Sequence, residues 1–354
     1  MTPPTTLPRG RDEPDAPVRE RCEILSRRRE GAYWLLTFST STIAARARAG
    51  QFVQLGVSAP HTLLRRPFSV ARVSRQGPSA GTVEVVFDAH GPGTDWLAGV
   101  AVHDHLDVLG PLGRPFPLPQ RKVTCLLVGG GYGLAPLLLL GQQLVAQGLR
   151  VDVLAGAAST DRLLGVIDAK RLSASSTFTT EDGSYGHAGR VTDVLDEVLT
   201  ASGAGVVYAC GPNPMLRAIS EHCAQREIPV QVAVEELMAC GVGVCFTCVL
   251  PVRGRDGAVR MKRACVDGPA FNGARIAWDV SRYASASGPE AGSSSGDGEV
   301  AAGVLGGELG ADPSRDEGAT DVGVGDVGTT DVGASDEQPD GEQLADETGL
   351  WGRR

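Results

Sequence analysis

The chain has 354 residues, eight cysteines and a formal net charge of −9, and its length predicts two or three domains. The charge is uneven, because residues 284–354 carry a net charge of −13 and the preceding residues are net +4. The short arginine runs at 27–29 and 65–66 are not interleaved with aromatic residues. This pattern excludes the basic stripe that binds nucleic acid.

The sequence carries no sign of export or membrane insertion. Residues 1–21 are proline-rich and charged and lack an apolar core. The most apolar stretch, residues 125–140, is interrupted by four glycines and a proline and is too short to span a bilayer. We therefore expect a cytoplasmic protein with no membrane partner, whose cysteines are metal ligands, catalytic groups or core residues rather than disulfides.

The first hundred residues have the rhythm of a small β domain. Residues 1–20 are predicted to form a disordered leader. Residues 21–119 contain short β runs separated by turn signals, a pattern that predicts an antiparallel barrel. The runs are residues 32–38, 51–57, 68–73, 82–87 and 104–109.

From residue 120 to 232 predicted strands alternate with predicted helices, which indicates a parallel sheet covered by helices. The strands are residues 123–128, 151–155 and 206–210, and the helices are residues 135–147 and 191–199. Residues 233–282 form a third, small unit rich in glycine and cysteine.

Residues 283–354 are dominated by Gly, Ser, Asp, Glu and Ala and predict a disordered acidic tail. The tail lacks the dense glycine and aspartate pattern of a calcium-binding β-helix. The fold class predicted for the whole chain is multidomain α+β.

Four cysteines of the third unit have the spacing of a metal centre. Cys240, Cys245 and Cys248 follow the pattern C-x4-C-x2-C, and Cys265 comes 17 residues later. This is the plant-type ferredoxin spacing for a [2Fe–2S] cluster, and the glycines between the first two cysteines let the backbone approach it closely. The alternative is a structural zinc site, although zinc cysteines usually come as two separate pairs. Three other cysteines are predicted to be small core residues: Cys22, Cys125 and Cys223.

Two motifs of the barrel region could hold a flavin. Residues 66–69, Arg-Pro-Phe-Ser, begin a β run. Arg66 could pair with a diphosphate and Ser69 could offer its hydroxyl to a flavin ring nitrogen. Residues 91–94, Gly-Pro-Gly-Thr, precede a helical segment in which Thr94 is the predicted N-cap and the glycines leave amides open to phosphate. Taken alone, each motif also fits an ordinary strand or helix start.

Two motifs of the α/β region lie at the ends of predicted strands. Residues 129–133, Gly-Gly-Gly-Tyr-Gly, connect a strand to a helix, as dinucleotide-binding loops do. They do not match G-x-G-x-x-G, which disfavours an ordinary Rossmann dehydrogenase. Residues 208–212, Tyr-Ala-Cys-Gly-Pro, end another strand, and residues 110–113, Gly-Pro-Leu-Gly, predict a turn that closes the barrel.

Four motifs, taken in chain order, resemble the ferredoxin–NADP reductase superfamily. They are the Arg-Pro-Phe-Ser segment, the Gly-Thr pair, the glycine run ending in Ala-Pro-Leu at 135–137, and the Cys-Gly-Pro segment. With the Met-Ala-Cys-Gly-Val-Gly-Val-Cys loop of 238–245 and the Cys-Val-Asp-Gly-Pro segment of 265–269, the chain resembles the electron-transfer subunits of dihydroorotate dehydrogenase B. The resemblance covers residues 21–280.

The resemblance implies a role for each motif, and family members commonly have a tyrosine and a basic residue where this chain has Phe87 and Asp88. The implied FAD residues are Arg66, Pro67, Phe68, Ser69, Val86, Phe87, Asp88, Gly93 and Thr94. The implied cluster ligands are Cys240, Cys245, Cys248 and Cys265. The implied NAD residues are Gly130, Gly131, Gly133, Cys210, Gly211 and Pro212.

The resemblance also implies the route of the electrons. A separate FMN-binding subunit would oxidise dihydroorotate, and electrons would pass through the [2Fe–2S] cluster and FAD of this chain to NAD⁺ in pyrimidine biosynthesis. The two subunits would form a heterotetramer of two plus two. No catalytic acid or base is evident, since the six histidines have neither metal nor triad spacing.

Two other functions stay open. One is an electron-transfer subunit of another NAD(P)H-linked complex, of the ferredoxin:NADP oxidoreductase or sulfide dehydrogenase type. The other is a non-enzymatic interaction protein stabilised by zinc.

Overall fold

The computed structural model of the protein describes residues 16–77, 79–280 and 350–351. The first part is a closed antiparallel barrel with the strand order β1-β2-β5-β4-β3-β6. Its strands are β1 (Val18–Glu30), β2 (Tyr33–Ser39), β3 (Phe52–Leu55), β4 (Arg66–Ser74), β5 (Thr82–Phe87) and β6 (His105–Leu112). Two helices join them: α1 (Ser41–Arg46) and α2 (Pro92–Gly99).

The barrel folds around side chains that alternate along its strands. In β3, Val53 and Leu55 are fully buried in the core cluster that also holds Val70 and Leu106, because every second residue of a strand points to the same face. Phe52 belongs to a different apolar cluster, which includes Cys248 of the cysteine region and Val128 of the α/β sheet. The wall at β3 therefore has an inner apolar face and an outer face that is also covered by protein.

The second part is a seven-stranded sheet with the order β10-β9-β8-β7-β11-β12-β15, in which only β15 runs antiparallel to its neighbour. The central strand β7 is buried along most of its length, as expected where helices cover a parallel sheet. Its strands are β7 (Thr124–Gly130), β8 (Arg150–Ala157), β9 (Ser175–Thr180), β10 (His187–Ala188), β11 (Val206–Cys210), β12 (Val230–Ala233) and β15 (Ala270–Asn272). Its helices are α3 (Leu134–Ala146), α4 (Val166–Leu172), α5 (Val191–Ser202) and α6 (Asn213–Gln225).

The third part is a loop region with one antiparallel pair, β13 (Val249–Arg253) and β14 (Val259–Arg263). Its chain returns to the large sheet, because β15 pairs with β12 through the register of Val232 with Phe271. The small unit predicted for residues 233–282 thus contributes an edge strand to the α/β sheet. Within the residues that the structure covers, no helix is both long and apolar enough to cross a membrane.

A contact between the barrel and the sheet fixes the two parts against each other. Tyr33 and Leu35 of β2 are buried with Ala135 of α3 and Leu164, and the Tyr33 hydroxyl donates to the Arg162 carbonyl at 3.0 Å. At the edge of this contact, Arg72 of β4 pairs with Asp168 of α4 at 2.8 Å. The apolar contact is therefore closed by hydrogen bonds and an ion pair.

The predicted barrel and parallel sheet are confirmed, and several local predictions differ from the structure. Strand β1 begins at Val18, three residues inside the predicted leader, and residues 1–15 lie outside the described residues. The predicted turn at 110–113 is instead the end of β6, which runs to Leu112. The sequence analysis also missed the elements β1, α1, α4, β9, β10, α6, β12, β13, β14 and β15.

The end of the chain returns to the body of the protein. Most of the predicted acidic tail lies outside the described residues, but Leu350 and Trp351 are buried. The Gln120 amide donates to the Leu350 carbonyl at 2.9 Å, and Trp351 meets Tyr208 of β11 edge-on at 6.2 Å between ring centroids. These two residues belong to the core beside the segment that joins the barrel to the sheet.

Candidate functional site

The loop of residues 240–248 turns its backbone toward its first cysteine. The Sγ atom of Cys240 accepts amide N–H groups of Val242, Val244 and Cys245 at 3.4, 3.3 and 3.5 Å. The curl of the loop needs left-handed backbone at Gly241 and Gly243, with φ of +71° and +85°, a conformation that glycine adopts without strain. A ring of amides around a sulfur is the environment that a thiolate ligand requires.

The other cysteines of this region differ strongly in exposure. Cys245 is exposed, whereas Cys248 and Cys265 are buried. The Thr247 hydroxyl donates to Cys245 Sγ at 3.2 Å. This hydrogen bond, together with hydrogen bonds from the Thr247 backbone amide and with Cys240, lowers the pKa of Cys245 to about 6. Burial is the main cause that raises the pKa of Cys265 to about 12, and the hydrogen bond and charge of the neighbouring Cys248 contribute to the same rise.

Cys248 and Cys265 belong to one buried cluster, and the charge of Cys240 also raises the pKa of Cys265. In the part of the chain covered by the structure, no three His, Cys, Asp or Glu side chains form a complete metal site. The donor set still fits an iron–sulfur cluster, because it consists of thiols only and backbone amides already point at sulfur. A buried thiol such as Cys265 loses its proton to solvent when a cation stabilises the thiolate that remains, and an iron centre would supply that cation. The assignment of the four cysteines as ligands stays a prediction.

The predicted flavin segment lies on β4 next to the start of α2. A side chain at Gly93 would meet the Arg66 guanidinium at 2.7 Å, so glycine at this position makes room for the arginine. Arg66 also donates to the Leu64 carbonyl at 2.7 Å. The structure therefore brings two predicted FAD residues together at a helix N-terminus, an arrangement suited to a phosphate.

Thr94 does not have its predicted role as N-cap, because α2 begins at Pro92 and its N-cap is Gly91. The Thr94 hydroxyl instead accepts the His90 amide and donates to the Gly91 carbonyl, both at 3.1 Å. Gly91 and Pro92 start the helix about one turn before the position that an N-cap at Thr94 would give. Thr94 therefore holds the loop before the helix in place.

The residues predicted to line the flavin fall into two groups. Phe68 and Phe87 face each other with ring centroids 5.4 Å apart. Asp88, by contrast, pairs with Arg162 of the α/β part at 2.9 Å. This ion pair accounts for an acidic residue where family members commonly have a basic one, since Arg162 supplies the positive charge from the other side of the contact.

The predicted nucleotide motifs meet at the carboxyl ends of two adjacent parallel strands. Cys210 of β11 pairs in register with Gly129 of β7, which brings the glycine run beside the Cys-Gly-Pro segment. A side chain at Gly130 would meet Met215 at 2.8 Å and Pro212 at 2.9 Å. The carboxyl ends of strands at which the strand order reverses, as it does between β7 and β11, are where open α/β sheets bind nucleotides.

Two contacts join the cysteine loop region to the other parts. The Tyr132 hydroxyl of the glycine run donates to Glu235 at 3.0 Å. At the end of the barrel, the Arg114 side chain donates to the Val266 carbonyl at 3.2 Å and its amide to the Gly268 carbonyl at 2.5 Å. The Cys-Val-Asp-Gly-Pro segment therefore lies against the barrel.

Sequence analysis missed three residues at these junctions. Tyr132 and Arg162 bond across parts of the fold that are distant in sequence, so no local spacing could have found them. Gln54 of β3 is fully buried, and neither polar atom of its side chain has a hydrogen-bond partner among the described residues. A polar residue in the middle of an apolar β run was the available signal.

Comparison with known proteins places this arrangement in a family. Residues 235–277 match the model of the iron–sulfur cluster binding domain of dihydroorotate dehydrogenase B. The electron-transfer subunit of dihydroorotate dehydrogenase B (NAD(+)) of Geobacillus thermodenitrificans is 39% identical over 264 residues, which are 73% of this chain and 98% of that protein. The corresponding subunit of Streptococcus mutans is 32% identical over 266 residues, which are 74% and 99% of the two chains.

Solved structures of related reductases share the fold of this chain. The solved structure of an NADH-dependent reduced ferredoxin–NADP oxidoreductase, studied for flavin-based electron bifurcation, superimposes with a TM-score of 0.64 and 30% identity over 73% of this chain and 90% of that one. The ferredoxin reductase of carbazole 1,9a-dioxygenase shares the fold at a TM-score of 0.53 and 21% identity. With relatives matched over almost their whole length, the chain is an oxidoreductase and belongs to the family of electron-transfer subunits of dihydroorotate dehydrogenase B.

Proposed function

We propose that this chain takes electrons from an FMN-binding dihydroorotate dehydrogenase subunit and delivers them to NAD⁺. The observation that carries the proposal is the single body formed by the cysteine loop, the Arg66 segment and the glycine run. When bound, FAD exchanges hydride with the nicotinamide and single electrons with the iron–sulfur cluster.

The residues of the chain divide this work between three places. Arg66 and the start of α2 hold the FAD diphosphate, with Ser69 directed to the ring. Gly130, Gly131 and Gly133, together with residues 210–212, hold NAD(H) at the carboxyl ends of β7 and β11. The loop of Cys240, together with Cys245, Cys248 and Cys265, holds the cluster.

The loop that holds the cluster is also the surface for the partner. Leu237, Val244 and Phe246 are 77, 75 and 61% exposed, although apolar side chains rarely cluster at a free surface. The Arg263 guanidinium lies over the Phe246 ring, 5.1 Å from its centroid, in a cation–π contact. We define these three residues as the loop surface and assign the FMN-binding subunit as its occupant, because one-electron transfer requires the donor to dock beside the cluster.

The test is reconstitution. Orotate formation with NAD⁺ is measured with each subunit alone and with both together. Activity is expected only in the mixture, since an FMN barrel takes about 250 residues and the described part of residues 16–280 forms the antiparallel barrel, the α/β sheet and the cysteine loop region. Phe246→Asp should abolish activity and complex formation, whereas the control Ile167→Asp, at a residue of α4 that is 65% exposed, should leave both unchanged.

The similarity to the ferredoxin–NADP oxidoreductase favours a second candidate with the same three sites and another redox partner. A mixture that forms no orotate, while reduced ferredoxin supports NAD(P)⁺ reduction, would establish the second candidate. Protein prepared without oxygen that contains zinc and lacks iron would refute both.

A further inference from the structure

Gln54 is a buried polar side chain without a partner. Its residue is 0% exposed, and both Oε1 and Nε2 lack a hydrogen bond to any described residue. A buried side-chain amide without a partner destabilises the folded protein, because folding removes the amide from water without replacing the hydrogen bonds it made there. A partner outside the polypeptide is therefore expected at this position.

The outward face of β3 places Gln54 next to two predicted sites. Val53 and Leu55 point into the barrel, so Phe52 and Gln54 point out of it. Phe52 is buried in the same cluster as Cys248 and Cys265. On the neighbouring strand, Gln54 is paired with Pro67 of the predicted flavin segment.

The nearest part of the cysteine loop to Gln54 is Gly241. A side chain at Gly241 would overlap the Gln54 amide, and Nε2 is the closest atom. Gly241 follows Cys240, whose Sγ already accepts three backbone amides. The glutamine amide therefore lies directly against the residue that follows the first cysteine.

We propose that the Gln54 side-chain N–H donates to a sulfur at the Cys240 corner of the cluster, either the thiolate or an adjoining sulfide. The proposal rests on the proposed function only in requiring that the loop holds a cluster. Gln54 is a positioning residue that acts through the cluster. Hydrogen bonds to sulfur favour the reduced cluster, which carries more negative charge, and so raise its potential.

The experiment is a redox titration of the holoprotein, followed by the electron paramagnetic resonance signal of the reduced cluster. Gln54→Leu removes the donor at similar volume and should make the one-electron reduction about tenfold less favourable, which corresponds to ~59 mV. Gln54→Glu removes the donor and adds negative charge, and should lower the potential further. If Gln54→Leu does not fold, Gln54→Met, which keeps the length, serves in its place.

Gln51→Leu is the matched control. Gln51 is also buried, but its amide donates to the Gly113 carbonyl at 2.8 Å and accepts the Arg48 amide at 2.9 Å. Its loss should lower stability and leave the cluster potential unchanged.

An unchanged potential in Gln54→Leu, or an equal shift in Gln51→Leu, would overturn the proposal, as would a shift confined to the flavin. Wild-type iron and sulfide content tests the proposed function separately.

Discussion

Arg66→Ala should weaken FAD binding more than any other single arginine substitution in the barrel. The guanidinium lies beside Gly93 at the start of α2 and uses one donor on the Leu64 carbonyl, and arginine has five donors in a planar fork. Hydrogen bonds to a charged group contribute about 1.5–3 kcal/mol. Their loss should raise the dissociation constant of FAD about ten- to hundredfold.

The assay is titration of flavin-depleted protein with FAD, followed by flavin fluorescence. Arg72→Ala is the control on the same strand, because Arg72 pairs with Asp168 and Glu84 at 2.8 and 3.7 Å and has no part in the predicted flavin site. Arg66→Lys, which keeps the charge without the fork, should recover only part of the affinity. Equal losses in Arg66→Ala and Arg72→Ala would refute the placement of the diphosphate.

Three further outcomes are expected. Cys245→Ser should reduce the iron content from about two atoms per chain to nearly none while FAD stays bound, as measured by iron and flavin analysis. Simultaneous loss of FAD would contradict separate sites for the cluster and the flavin. Gly130→Ala should raise the KM for NADH in dye reduction, since a Cβ atom there would meet Met215 and Pro212 at 2.8 and 2.9 Å and displace the predicted NAD segment. Gly99→Ala, in open space and without a positive φ, should leave KM unchanged. Trp351→Ala should lower the free energy of unfolding, measured by denaturant titration, by about 3 kcal/mol, as for other buried tryptophans. The control is Leu63→Ala, at a side chain that is 95% exposed. Equal stability of the two variants would show that Trp351 is not part of the core.

The barrel and the sheet could be predicted because their signals are local. Strand β5 and strand β11 coincide with apolar runs of the sequence, and turns separate the runs at the expected spacing. Strand β1 was missed because charged residues alternate with its few buried ones, of which Cys22 and Ile24 face the core. Helix α4 was missed because it has seven residues and buries only Ala169.

The candidate site could be predicted only where one segment supplies several of its residues. The cysteine loop meets this condition, because three of the four predicted ligands lie within nine residues. The pairing of Asp88 with Arg162 does not, since 74 residues separate them. Gln54 is the extreme case: its role depends on the loop that covers it, and its own strand contains no sign of that loop.

The register of β3 explains how a one-electron and a two-electron site can be close without a dedicated bridge. The cysteine loop contacts β3 at Gln54 through Gly241, and Gln54 is paired with Pro67 of β4. Neighbouring strands lie about 4.8 Å apart, so the residue of β3 that meets the cysteine loop is one strand spacing from the predicted flavin segment. Both strands belong to a closed barrel, which resists the sliding that would change this spacing. The hydrogen bonds that hold the barrel together therefore fix the spacing between the residue that the cysteine loop contacts and the predicted flavin segment.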